Sequence, residues 1–112
     1  FGVSVFPYRE ETNHFCNATW VAWTAGMSAA AGREGRLDLL TRMIAQQVRN
    51  GVMNKTFYEV IDYHTVRAWR WPGQLWHAMA FVSYFFLGIL GMEYDECGLT
   101  FHPALPESLA GM

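Results

Sequence analysis

Apolar and polar positions along the chain sort into three helical runs separated by segments of other character. The first run predicts a helix over 18–31. Asn17 stands at its N-cap, Gly32 is a natural stop, and the body is rich in Ala25, Gly26, Ser28, Ala29 and Ala30. Small residues of this kind let a neighbouring helix approach closely. The second run predicts a helix over 34–50. Leu37, Leu40, Ile44 and Val48 recur at helical spacing, while Arg36, Asp38, Arg42, Gln46 and Arg49 lie off that stripe. It reads as an outer, amphipathic helix. The third run predicts a helix over 74–90 that is apolar nearly all round, through Phe81, Val82, Phe85, Phe86, Leu87, Ile89 and Leu90. Such a helix is either buried or in a membrane. Its unbroken apolar stretch from Ala78 to Met92 falls short of the ~18 to 20 residues of a span, so burial is the expectation.

Beyond Gly91 the character changes. Glu93-Tyr94-Asp95-Glu96 is a polar turn, Gly98 to His102 alternates like a strand, and Pro103 to Pro106 is extended. A tight turn at Gly32-Arg33 predicts that the first two helices are antiparallel, and the third must reverse again. The N-terminal ends of the first and third helices then share one end of the bundle. His14, Asn17, Trp20 and the segment from Gly51 to Gly73 converge there, with Glu59, Asp62, His64, Arg67, Trp69, Arg70 and Trp71, followed by Gln74, Trp76 and His77. The opposite end collects little chemistry.

Composition narrows the partners. The 112 residues suffice for one small domain, yet 52% are hydrophobic and only 16% charged, against a usual charged share of about 25%. A domain this small needs polar residues to cover its surface. The shortage, together with Phe1 in place of Met, predicts the interior portion of something larger. It also predicts association with the rest of a parent chain, or self-association, through apolar helix faces carrying Phe81, Phe85 and Phe86. A net charge of -2 with scattered Lys and Arg gives no nucleic-acid footprint. Cys16 and Cys97 form no disulfide framework or metal spacing, and His14, His64 and His77 lack ligand spacing, so neither metal nor cofactor is expected.

Glu59 is the carboxylate of interest. It lies among rings (Tyr58, Trp69, Trp71) whose flat faces suit sugar stacking, and beside Arg67, Arg70 and Gln74, which suit hydroxyls and carboxylates. A carboxylate in that company is a candidate general base. Asp62 is too close in sequence to straddle a glycosidic bond with it.

Four pieces in order carry a family likeness: Asn17-Ala18-Thr19-Trp20 opening a helix; Phe57-Tyr58-Glu59 before a loop; Gln74-Leu75-Trp76 opening the next helix; and Leu90-Gly91-Met92 with Asp95 and Gly98 through Pro106. The chain resembles the C-terminal part of the catalytic domain of six-hairpin, (α/α)6-barrel glycosidases, nearest to the mannosylglycerate-hydrolase-like, processing-α-glucosidase-like and bacterial rhamnosidase-like groups. The resemblance implies an all-α fold, the last hairpins of a toroid, with 98–112 leading out toward a β-sandwich. It implies that Glu59 is the general base of an inverting hydrolysis of α-linked oligosaccharides and that the acid lies in an earlier hairpin. Asn17, Trp20, His64, Arg67, Trp69, Arg70, Trp71, Gln74 and Trp76 would line the sugar pocket. Relatives usually carry a glycine in a Thr-Gly-like turn shortly after the glutamate, where this chain has Thr65-Val66, and the approach through His14 to Asn17 also departs from theirs. A small non-enzymatic helical protein that binds a carbohydrate or a partner is the alternative.

Overall fold

The computed structural model of the chain describes residues 18–62, 64–105 and 107. Its elements run β1 (Ala18–Thr19), α1 (Val21–Arg33), α2 (Leu37–Asn54), β2 (Tyr58–Asp62), β3 (Ala68–Pro72), α3 (Leu75–Ser83), a π-helical continuation of α3 over Tyr84–Ile89, β4 (Met92–Asp95) and β5 (Gly98–Phe101). The all-α expectation is therefore overturned: this is a mixed α/β chain with two antiparallel sheets, one of three strands ordered β1-β2-β3 and one formed by β4 and β5. The cause lies in packing and pairing. Val60 and Ile61 are β-branched and fully buried, and the 58–72 segment pairs with itself as a hairpin instead of remaining a loop.

Three helices do form near their expected places, with shifted ends. Trp20 stands at the N-cap position of α1, and Asn17, expected there, lies outside the described residues. Gly32 does not stop the helix. The reversal comes at Gly35, whose φ of 65° is one that glycine adopts without strain. Lys55, at φ 61°, ends α2 in the left-handed cap conformation.

Side-chain contacts fix the helix directions. The Thr24 and Tyr84 hydroxyls are bonded to each other, and a Cβ on Gly88 would meet Ser28, so α1 and α3 advance together and are parallel. Leu40 lies against Gly88, whereas Gln47, two turns later, bonds Tyr84, so α2 runs antiparallel to both. The small residues of α1 serve close approach: a Cβ on Gly32 would strike the Gly88 carbonyl oxygen.

The buried face of α2 differs from the expected stripe. Leu40 and Ile44 are buried, Leu37 is half-buried, and Val48 is exposed. Met43, Gln47 and Asn50 complete the inner face. Polar residues are inside because the core holds the Tyr84 hydroxyl, which Thr24 and Gln47 satisfy. Asn50 in turn donates to Gln47 (3.1 Å) and accepts from Gln46 (3.4 Å). Buried polar groups are costly unless bonded in this way. Leu40, Met43 and Ile44 each contribute about 1.5–3 kcal/mol by leaving water.

Nor is α3 buried all round. Leu75, Met79, Val82 and Phe86 form an exposed stripe, while His77, Ala80 and Tyr84 face inward. Among the described residues, no helix is long and apolar enough to cross a membrane. Two ends result. At one, β1 runs into α1 and β3 runs into α3 through Gly73, so the three-stranded sheet caps the N-terminal ends of both parallel helices. At the other, the β4–β5 hairpin is tied back by Arg33 to Glu93 (3.0 Å) and by Ala104 N–H donating to the Ile89 carbonyl (2.7 Å).

Candidate functional site

The β2–β3 hairpin carries most of the expected site residues, and its turn is built locally. Asp62 Oδ1 accepts hydrogen bonds from the backbone of His64 (3.0 Å) and Thr65 (2.6 Å) and from the Thr65 hydroxyl (2.8 Å). Burial pushes the Asp62 carboxyl up, but these bonds outweigh it and hold its pKa below the ordinary value. Asn54, at the end of α2, donates to the Val66 carbonyl (3.2 Å) and accepts from Ala68 N–H (3.3 Å), stitching the hairpin to the helix.

Register places Glu59 between two cross-strand pairs, Tyr58 with Pro72 and Val60 with Arg70, and so opposite Trp71. Paired residues share a face of the sheet. Glu59 is half-buried and Trp71, opposite it in register, is 48% exposed, with the Arg70 guanidinium 5.4 Å from the centre of the Trp71 ring. Between Val60 and Ile61 the register slips, because β3 inserts one extra residue, Trp69. Trp69 and Trp76 are 42% and 51% exposed, so three large rings face solvent at this end. Two backbone positions are unusual: Val66 at φ 61° and Trp71 at φ 51° are in the left-handed region, rare for a β-branched or bulky residue.

The hairpin divides the expected set. Trp71, Gln74 and Trp76 lie on the Glu59 side, where β3 passes into α3. Asp62, His64 and Arg67 lie toward the turn, with Asp62 three residues from Glu59 and so about 10 Å along the strand, while Trp69 sits in the bulge opposite Val60 and Ile61. Trp20 is half-buried, its ring centre 5.4 Å from that of Trp23. Asn17 and His14 lie outside the described residues. No group of three or more His, Cys, Asp and Glu among the described residues is arranged to hold a metal ion.

His77 has a larger part than its sequence position suggested. It is fully buried, its Nδ1 lies 2.9 Å from the Tyr58 carbonyl oxygen, and its ring lies at 21° to that of Trp76 with centres 5.6 Å apart. Burial pushes its pKa down, against the Tyr58 hydrogen bond and the charge of Glu59, which raise it. Its Nε2 is buried with no hydrogen-bond partner among the described residues, as is the Thr19 hydroxyl. One sequence signal was present: His77, Ala80 and Tyr84 are spaced as one inward helix face.

Compared with known protein families, curated proteins and solved structures, the chain finds no match.

Proposed function

We propose that this chain supplies the general base and part of the sugar-holding surface of a glycoside hydrolase that inverts α-linked oligosaccharides. The observation that carries this reading is the register position of Glu59 opposite Trp71, whose ring is exposed, on a hairpin that also presents Trp69 and leads to Trp76. The Val66 backbone supports it as well. That residue stands where glycosidases of the resembled type carry a glycine, and it takes the left-handed conformation that glycine would adopt.

In the proposed reaction Glu59 takes a proton from water as the water oxygen bonds to the anomeric carbon. The bond to the leaving oxygen breaks with its electron pair, and that oxygen takes a proton from an acid on the other side. In inverting enzymes the two carboxyls stand about 6.5–9.5 Å apart, across the sugar. Asp62 does not fill the acid role, because its Oδ1 is committed to the turn and it lies on the same strand as Glu59. The acid comes from outside the described residues. This same absence favours a second reading, in which the surface binds saccharides without cleaving them.

Glycosyl fluorides separate the two, because fluoride departs without needing a proton from an acid. The purified chain is expected to release fluoride slowly from α-glucosyl or α-mannosyl fluoride, to lose that activity in Glu59→Gln, and to leave methyl α-glycosides intact. Saccharide binding with no Glu59-dependent fluoride release would establish the non-hydrolytic reading.

A further inference from the structure

The outer half of the hairpin forms a cleft of its own. It has a volume of about 420 Å³ and is lined by Asp62, Thr65, Arg67, Ala68 and Trp69. We infer that this cleft is a distal subsite for a carboxylate-bearing sugar, a uronic acid residue of the bound saccharide. The inference rests on the carbohydrate reading above and names the class of sugar that the reading leaves open.

Arg67 and Asp62 line the same cleft with opposite charges, yet they are not ion-paired. The ion pairs of Arg33 with Glu93 and of Arg36 with Asp38 are both away from the hairpin. Asp62 is held by its turn, where Oδ1 takes three hydrogen bonds, so its charge is directed at backbone N–H groups, the Thr65 hydroxyl and the neighbouring His64. Arg67 is exposed, and no carboxylate among the described residues answers its guanidinium. That group carries five N–H donors in a planar fork that matches a carboxylate through two parallel hydrogen bonds. Trp69, the residue inserted by the bulge, brings an aromatic ring to the same cleft. A cation beside a ring selects a ligand with an apolar face and an acidic edge, which describes a uronic acid better than a neutral hexose.

Position fixes which sugar this is. The end of the cleft that holds Arg67 is paired with Asp62 and lies about 10 Å along the strand from Glu59, with Trp69 between the two. The acidic residue therefore sits away from the bond that Glu59 addresses and sets specificity rather than taking part in the reaction.

The test uses acidic oligosaccharides (oligogalacturonides and glucuronoxylan fragments), each beside its counterpart with the carboxyl groups reduced to hydroxymethyl. Titration calorimetry on the intact chain is expected to give at least tenfold tighter binding of one acidic form over its reduced counterpart, with the gap narrowing as salt rises. Arg67→Gln should erase that preference while leaving the melting temperature unchanged, and Arg67→Lys should keep part of it. Equal affinity for acidic and reduced forms, with both weakened by Trp71→Ala, would overturn the acidic-sugar assignment and leave the carbohydrate reading standing. Binding of neither form, nor of neutral α-linked oligosaccharides, would overturn both.

Discussion

The imidazole of His77 is bonded to the backbone of the residue immediately before Glu59: its Nδ1 lies 2.9 Å from the Tyr58 carbonyl oxygen. A carbonyl can only accept, so Nδ1 carries the proton and Nε2 presents a lone pair. The first turns of α3 are thereby pinned to the start of the strand that carries the candidate base. Through this bond, packing in the bundle reaches the proposed chemistry.

The bond predicts a pH effect with a definite sign. Burial lowers the His77 pKa in the folded chain below the ordinary value of about 6.5. The unfolded chain therefore binds the proton more readily. The stability tied to neutral His77 is fully present above about pH 6.5 and is lost as pH falls through the lower, folded value. Urea denaturation at pH 7.5 and at pH 5 should give a lower midpoint at pH 5. His77→Asn, which keeps a donor near Nδ1 but does not titrate, should flatten that dependence. His77→Phe should instead cost about 1–3 kcal/mol at both pH values, because the Tyr58 carbonyl loses its partner. A pH response unchanged in His77→Asn would move the effect to another group.

Gly32 gives a test of helix packing in which two effects oppose each other. Alanine is favoured over glycine in a helix interior by about 1 kcal/mol. Here, however, the added Cβ would strike the Gly88 carbonyl oxygen, a backbone atom that cannot rotate away. Forcing two helices apart costs about 1–3 kcal/mol, so Gly32→Ala should be destabilising overall. Gly26, where a Cβ meets nothing within 4 Å, is the control: Gly26→Ala should be neutral or stabilising. The same melting temperature for both variants would contradict the close approach.

How much of this was legible follows from what each signal measures. The small residues of α1 announced a close neighbour, and chain reversals at two turns placed the N-terminal ends of α1 and α3 at one end, so the meeting of the 58–72 segment with both helix starts could be read directly. Strand formation at 58–72 could not, because the aromatic and arginine residues of that segment have no clear alternation and the bulge at Trp69 breaks what alternation there is. Val48 misled because periodicity reports apolar residues, not the direction of the core. The actual inner face is rotated toward Gln47 and Asn50, which answer a hydroxyl on a different helix. The role of His77 was hidden for a similar reason: its partner is a backbone carbonyl, and a carbonyl leaves no mark in a sequence.

Val66 offers a second opposed pair. Its φ of 61° strains a β-branched residue, while its side chain is 1% exposed. Replacement by glycine relieves about 1–2 kcal/mol of left-handed strain and removes burial worth about 1.5–3 kcal/mol. Val66→Gly should therefore cost no more than about 1–2 kcal/mol. Val60→Gly, at a buried strand position without that strain, should cost several kcal/mol. Chemical denaturation of the two variants side by side measures the difference. Equal losses would mean that the turn does not impose the left-handed conformation in solution.

Trp71 allows strain and ring to be separated at one position. Its φ of 51° is costly for any residue with a Cβ, and its ring is exposed at a register position opposite Glu59. Trp71→Ala removes the ring and keeps the strain, whereas Trp71→Gly removes both. If the ring stacks on a sugar, both variants should lose saccharide affinity alike, about tenfold for a contact of about 1.4 kcal/mol. Their stabilities should differ, with Trp71→Gly the more stable by about 1 kcal/mol, because glycine takes a positive φ freely. Calorimetric titration and thermal melting on the same two proteins read the two quantities independently. Affinity that survives in Trp71→Ala would remove the ring from the binding surface, and the strain at this position would then need a structural cause within the hairpin.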